Sequence, residues 1–122
     1  MLGSKEDDII GKQLAAQCSN VINACGELSL NQSAYIIKMS QSVITSDTGL
    51  MHIASAYKKK IFSLWGNTIP EFGMYPYLPG EGSEILEVKG LGCRPCSKLG
   101  YSVCPLGHFK CMNNIDITHI TL

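Results

Sequence analysis

The apolar positions of this chain change period several times, and each change marks an element. Val43, Ile44 and Thr45 stand together as β-branched residues suited to a buried strand, and the polar run Ser46-Asp47-Thr48-Gly49 ends them. Leu50, Met51, Ile53, Ala54 and Ala56 then recur at helical spacing, which predicts a helix over 48–57 packed back on the strand 43–45. A second apolar strand, 61–65, follows the basic turn Lys58-Lys59-Lys60. Upstream, Ile9, Ile10, Leu14, Ala15 and Cys18 share a helical face with acids in the first turn, predicting a helix from Lys5 to Cys18. Val21-Ile22-Asn23 reads as a short strand. Ser29, with Gln32 three residues on, has the pattern of a capping box opening an amphipathic helix to about Met39. A proline- and glycine-rich loop from Gly66 to Gly82 leads to a strand near 85–88.

Strands separated by helices make an α/β fold, a Rossmann-like parallel sheet with flanking helices and right-handed crossovers. In such sheets ligands bind beyond the carboxyl ends of the strands, where Gly3, Gly26, Asp47 and Gly66 all fall. The expected organisation is an α/β domain over 1–90 and a Cys-rich tail over 91–122 that ends at the start of a helix. Met1 to Ser4 resembles the end of a strand and its glycine turn, so the chain reads as a fragment of a longer protein.

Asp47, Thr48, Gly49 and His52 form the densest polar constellation. A helix starting near Thr48 leaves its first N–H groups without intrahelical partners, and these, with the positive end of the helix dipole, favour an anion. Asp47 or Thr48 can cap that end, Gly49 lets a ligand approach, and His52 sits one turn in. Two readings stay open: a phosphate-binding mouth, or a capped helix with a packing histidine.

Ten basic and ten acidic residues cancel, so no basic stripe points to nucleic acid. The lysine run suits a solvated helix end better than a binding patch. At 45% hydrophobic and 16% charged the chain is globular, and no run reaches the roughly 18 apolar residues that span a bilayer. The reading is intracellular and cytoplasmic, with at most peripheral membrane association.

Cys93, Cys96, Cys104 and Cys111 lie within 19 residues of one another in the tail, while Cys18 and Cys25 stand apart and are expected in the core. A tetrahedral zinc site, reduced thiols packed in a loop, and disulfides are all open, with His108 as a further candidate ligand.

The run V-I-T-S-D-T-G-L-M-H-I-A-S-A, the basic turn, I-F-S-L-W-G and N-T-x-P resemble the carboxy-terminal half of glycosyltransferase family 9, the ADP-heptose-dependent lipopolysaccharide heptosyltransferases. The likeness extends upstream through Gly26-Glu27-Leu28-Ser29-Leu30 and downstream through Cys93-Arg94-Pro95-Cys96 and Cys111-Met112. Nucleotide-sugar epimerases of similar architecture tend to carry D-S-G-G at this turn, where this chain has D-T-G-x-x-H.

The resemblance implies the donor-binding half of a GT-B glycosyltransferase, taking heptose or a related sugar from ADP-heptose to a lipopolysaccharide-core acceptor, with no cofactor required for the chemistry. It assigns Asp47, Thr48, Gly49 and His52 to the donor diphosphate and sugar. Asp47 repels a phosphate, so capping or a sugar hydroxyl suits it better. Leu28 falls at a purine-contacting position, and Glu6 near an acid that binds ribose, displaced by about one residue. In the long loop, Thr68-Ile69-Pro70 and the aromatics Phe72, Tyr75 and Tyr77 are candidates for the sugar pocket. The family's catalytic base belongs to the amino-terminal half, so no catalytic residue is expected here. The reading from a different class is a non-catalytic, zinc-stapled nucleotide- or protein-binding module.

Overall fold

The computed structural model describes residues 1–120. The chain divides into two compact units, Met1–Ile36 and Ile37–Leu122, each described by itself. The tail after residue 90 therefore belongs to the same unit as the sheet.

In the first unit, residues 1–3 run beside residues 22–26, the latter ending in a turn with Gly26 at φ 73°. Met1 donates its amino group to the Ile22 carbonyl, the Ala24 N–H bonds Met1 O at 3.0 Å, and the Gly26 N–H bonds Gly3 O at 2.9 Å. The predicted strand at Val21–Asn23 is thus a hydrogen-bonded segment but not a regular strand. Helix α1 spans Asp8–Gln17, starting three residues later than the apolar pattern predicts. Asp7 causes the delay. Its Oδ2 accepts from the Ser4 N–H at 2.7 Å and the Ser4 hydroxyl at 2.8 Å, holding residues 4–7 in a turn of their own. Glu6 consequently precedes the helix, and Asp8 is its first-turn acid, bound to Lys12 at 2.7 Å.

The apolar stripe of α1 faces solvent, with Ile9 68% and Ile10 56% exposed. Cys18, expected in the core, is exposed at the end of α1, whereas Cys25 is buried as expected. Helix α2, Leu30–Met39, opens with the predicted capping box: the Ser29 N–H donates to Gln32 Oε1 at 2.8 Å, and the Gln32 N–H donates to Ser29 Oγ at 3.3 Å.

The second unit holds a three-stranded parallel sheet in the order β1 (Ser42–Ser46), β2 (Lys60–Trp65), β3 (Glu84–Glu87). Val43 pairs with Ile61, Ser46 with Leu64, and Trp65 with Glu87. The crossover between β1 and β2 carries helix α3, Gly49–Ala56, packed on both strands. The central strand β2 is covered best, and Ile61, Phe62, Ser63 and Trp65 are all buried. Burial of the Trp65 indole is compatible with its N–H because Nε1 donates to Ser63 Oγ at 3.1 Å, while that hydroxyl donates to Glu84 O at 3.3 Å. β1 is an edge of this sheet, and Ile44 is 46% exposed, so the three β-branched residues of 43–45 are only partly covered.

The long loop is anchored at its ends. A short 3₁₀ turn, Pro70–Phe72, lies near its start. Near its end the Ser55 hydroxyl donates to Tyr77 O, and Lys58 Nζ donates to Leu78 O at 2.9 Å. Lys59 reaches Ser40 O at 2.8 Å, and the Lys60 ammonium stands 4.7 Å from the Phe62 ring centroid. The lysine run thus follows the end of α3 with Lys58 exposed, as expected, and also makes intramolecular ties.

In the tail, a one-turn helix α4 spans Lys110–Asn113. Asp116 Oδ1 accepts from the Thr118 N–H and hydroxyl, forming a turn at 116–118. The part of the expected terminal helix at 121–122 lies outside the described residues.

Candidate functional site

The site is built where β1 and β2 end. Leaving β1, the chain turns at Asp47, and Thr48 adopts an extended conformation (φ −144°, ψ 163°) with its hydroxyl accepting from the Met51 N–H at 3.4 Å. Thr48 is thus the N-cap, and Asp47 is free of that duty. A Cβ built on Gly49 meets no heavy atom within 4 Å, so the first turn of α3 opens to solvent. The unpartnered N–H groups of that turn remain available to an anion.

His52 is the residue on which the two readings of this turn divide. Its side chain is 49% exposed, and Nε2 stands 3.9 Å from Asp47 Oδ1. That is within ion-pair range for a protonated imidazole and beyond hydrogen-bond length. An exposed imidazole beside an open helix start does not pack a core, so the packing-histidine reading fails while the capping part of it holds.

Next to this turn lies a cavity of about 210 Å³ lined by Ser46, Asp47, Leu64, Gly66, Asn67, Thr68, Leu99, Phe109 and Met112. Of the predicted donor-site residues, Asp47 lines it, while Thr48, Gly49 and His52 do not. Thr68 also lines it, but Phe72, Tyr75 and Tyr77 do not. Tyr75 and Tyr77 are exposed, and Pro76 between them is buried. Leu28 is half-buried and Glu6 exposed in the first unit, where the Glu6 N–H donates to Ser4 Oγ at 3.2 Å.

Three wall residues, Leu99, Phe109 and Met112, come from the tail and were not legible as site residues. Gly66 explains the close approach of one of them. A Cβ there would lie 2.6 Å from Met112 Sδ and 2.8 Å from its Cγ, so glycine lets the Met112 side chain lie against the end of β2, and a larger residue would displace it.

Arg94 was likewise missed as a structural residue. Its guanidinium donates to the carbonyls of Gly66, Val88 (2.8 Å) and Thr68 (2.9 Å) and to Glu87 Oε2 at 3.0 Å, which fixes the tail to the strand ends. Asn67 adds a second tie, donating through Nδ2 to Tyr101 O at 2.7 Å and accepting the Cys96 N–H at 2.8 Å on its own carbonyl.

Cys93, Cys96, Cys104 and Cys111 line one further cavity of about 340 Å³ together with His108. All four are free thiols. Among the described residues no three His, Cys, Asp or Glu side chains stand close enough together to hold a metal ion, so the predicted ligand set shares a cavity without forming a coordination shell. Backbone N–H groups, those of Phe109 foremost and then Leu106, His108 and Gly107, hold the Cys104 thiol below its ordinary range. Burial, with the like charge of Cys111, Cys93 and Cys104 behind it, pushes the Cys96 thiol up. No helix among the described residues is long and apolar enough to cross a membrane.

The chain is similar to known proteins in sequence and in fold. The family described as glycosyltransferase family 9 (heptosyltransferase) matches residues 1–102. The lipooligosaccharide heptosyltransferase 2 of Campylobacter jejuni subsp. jejuni serotype O:2 is 29% identical over 102 residues, covering 84% of this chain and 30% of that protein. The lipopolysaccharide heptosyltransferase 2 of Escherichia coli (strain K12) is 30% identical over 77 residues, covering 59% of this chain and 22% of that protein. The solved structure of E. coli ADP-heptose lps heptosyltransferase II superposes with a TM-score of 0.61 at 22% identity, over 93% of this chain and 34% of that one, a likeness of fold. The chain spans between about a fifth and a third of the length of these relatives. With a Rossmann-like parallel sheet, an open turn at its carboxyl edge and a family match over most of its length, the chain belongs to glycosyltransferase family 9, the heptosyltransferases.

Proposed function

We propose that this chain is the donor-binding half of a GT-B, inverting glycosyltransferase that moves heptose, or a related sugar, from ADP-heptose to a lipopolysaccharide-core acceptor. The observation that carries the reading is the exposed His52 beside the open first turn of α3, at the carboxyl edge of a parallel sheet. The names of the relatives support the sugar and the acceptor.

Departure of a nucleoside diphosphate builds negative charge on the leaving oxygen, and stabilising that charge is the chemistry this turn can perform. The N–H groups following Thr48 bind a diphosphate oxygen, and His52 donates a hydrogen bond to it. Asp47, relieved of capping, accepts from a sugar hydroxyl at the edge of the 210 Å³ cavity, whose apolar wall of Leu99, Phe109 and Met112 excludes water. Leu28 covers a face of the adenine and Glu6 binds the ribose.

No residue of this chain is assigned as the base that deprotonates the acceptor hydroxyl. On this reading the base belongs to the amino-terminal half of the enzyme, in the cytoplasm, and residues 1–122 alone bind donor without turning it over. Chemical-shift mapping on titrating ADP tests the assignment. The largest changes are expected at 26–29, 46–52 and 66–70, and a maximum elsewhere overturns it.

A further inference from the structure

The tail loop between Cys96 and Lys110 is tied to the end of β2 and bare on its outer side. The Cys96 N–H donates to Asn67 O at 2.8 Å, and Asn67 Nδ2 donates to Tyr101 O at 2.7 Å. Within the loop, the Ser97 hydroxyl donates to Gly100 O at 3.1 Å and the Gly107 N–H to Cys104 O at 3.0 Å. Held in this way, it leaves five large apolar side chains in water: Leu99 is 84% exposed, Tyr101 53%, Val103 76%, Leu106 63% and Phe109 41%. Leu99 and Phe109 wall one cavity and Tyr101 and Leu106 another, and the two linings adjoin at 108–109 and 111–112. Single apolar residues on a surface are ordinary, but a cluster bordered by polar groups marks an interaction surface.

The charge around this cluster has one sign. No Asp or Glu occurs from Val88 to Ile115, a stretch that holds Lys89, Arg94, Lys98 and Lys110. Arg94 is neutralised by Glu87, and Lys89 lines a different cavity together with Glu71. Lys98 and Lys110 remain, both exposed and without an ion-pair partner among the described residues. Of the acids outside the stretch, Asp116 is occupied by Thr118, and Asp47 shares only the cavity walled by Leu99 and Phe109.

We propose that residues 97–110 dock this chain onto an anionic lipid bilayer, with Leu99, Tyr101, Val103 and Leu106 entering the interface and Lys98 and Lys110 at the level of the lipid phosphates. Apolar side chains beside unopposed lysines supply the two attractions that hold a protein on such a surface, burial and headgroup charge. Tyrosine suits that depth, with its ring on the apolar side and its hydroxyl in water. A second copy meeting this face symmetrically sets the same lysines against each other, which disfavours it. The loop also walls the cavity assigned to the donor, so its meaning for catalysis rests on the proposed function: docking holds that cavity at the surface that carries a lipid-borne acceptor.

Flotation of the whole chain with vesicles of phosphatidylethanolamine and phosphatidylglycerol, compared with pure phosphatidylcholine, tests the proposal. Binding to the anionic vesicles is expected, and it is expected to fall as salt rises from about 0.05 to 0.5 M. Lys98→Gln and Lys110→Gln are each expected to weaken it about fivefold. The double variant Val103→Ser/Leu106→Ser is expected to abolish it at an unchanged melting temperature, because both side chains already face water in the free chain. No flotation with anionic vesicles, equal flotation with neutral ones, or full binding by the double variant overturns the proposal. So does a dimer in solution that the double variant dissociates. ADP titration without vesicles is read separately: a chain that floats but does not bind ADP loses the donor reading and keeps this one.

Discussion

Arg94 and Glu87 form an ion pair of 3.0 Å whose side chains are 5% and 11% exposed, and the same guanidinium caps the carbonyls of Gly66, Thr68 and Val88. A pair this well excluded from water is stable only while every donor is used, since an unpaired buried charge is costly. One side chain thereby holds the ends of β2 and β3 against the tail that supplies a wall of the cavity.

The pair leads to the first prediction. Arg94→Ala is expected to destabilise the chain by about 3–5 kcal/mol, because it leaves Glu87 buried and three carbonyls without their donor. Glu87→Gln is expected to cost less, since the carbonyl bonds survive. Denaturant unfolding of both variants checks this, and equal losses would mean that the carbonyl contacts contribute nothing.

At the donor turn, His52→Ala is expected to weaken ADP binding by about tenfold, the scale of one charge-assisted hydrogen bond. Its melting temperature is expected to change little, because the imidazole is half exposed. Calorimetric titration and a melting curve on the same sample check both halves.

Two glycines give opposite expectations for alanine. A Cβ at Gly80 would stand 2.2 Å from Lys58 O, a backbone atom held where the chain enters β2. Gly80→Ala is therefore expected to destabilise by about 2 kcal/mol or more. At Gly49 nothing lies within 4 Å, and alanine is a better helix former, so Gly49→Ala is expected to keep or raise stability while reducing ADP affinity. Melting curves and ADP titration of the two variants separate fold from site.

Thr48→Ala removes the cap of α3 and is expected to cost about 0.5–1 kcal/mol, the lower part of the range for capping residues because the bond to the Met51 N–H is long at 3.4 Å. Thr48→Ser is expected to restore most of the loss, which unfolding midpoints of the two variants can show.

The start of α1 is expected to be acid-sensitive. The Ser4 hydroxyl and N–H hold the Asp7 carboxyl below its ordinary value, and Lys12 followed by Asn23 does the same for Asp8. A carboxylate whose folded pKa is depressed adds stability above the unfolded value, near 3.9, and loses it as pH falls through the lower folded value. Amide exchange over 4–12 is expected to speed up as pH drops below about 4 relative to the intrinsic rate, and Asp7→Asn is expected to flatten that dependence.

What the sequence determined is what lies within one or two turns of chain. The Ser29–Gln32 capping box, a cap at Asp47 or Thr48 and the strand–turn–helix around Asp47 were legible because donor, acceptor and apolar face sit three or four residues apart. The parallel sheet followed from the alternation of strands and helices. The start of α1 was misplaced because the Ser4–Asp7 turn competes with the helix for the same backbone.

Only the tertiary structure decided the walls of the site. Arg94 finds Gly66 and Thr68 at separations of 28 and 26 residues, and Leu99, Phe109 and Met112 reach the cavity from the tail, where Gly66 leaves space for the Met112 side chain. Periodicity reports that a face is apolar but carries no record of its partner. For that reason the exposed stripe of α1, the bonded lysines 58 and 59, and the common cavity of four cysteines could be read only from coordinates.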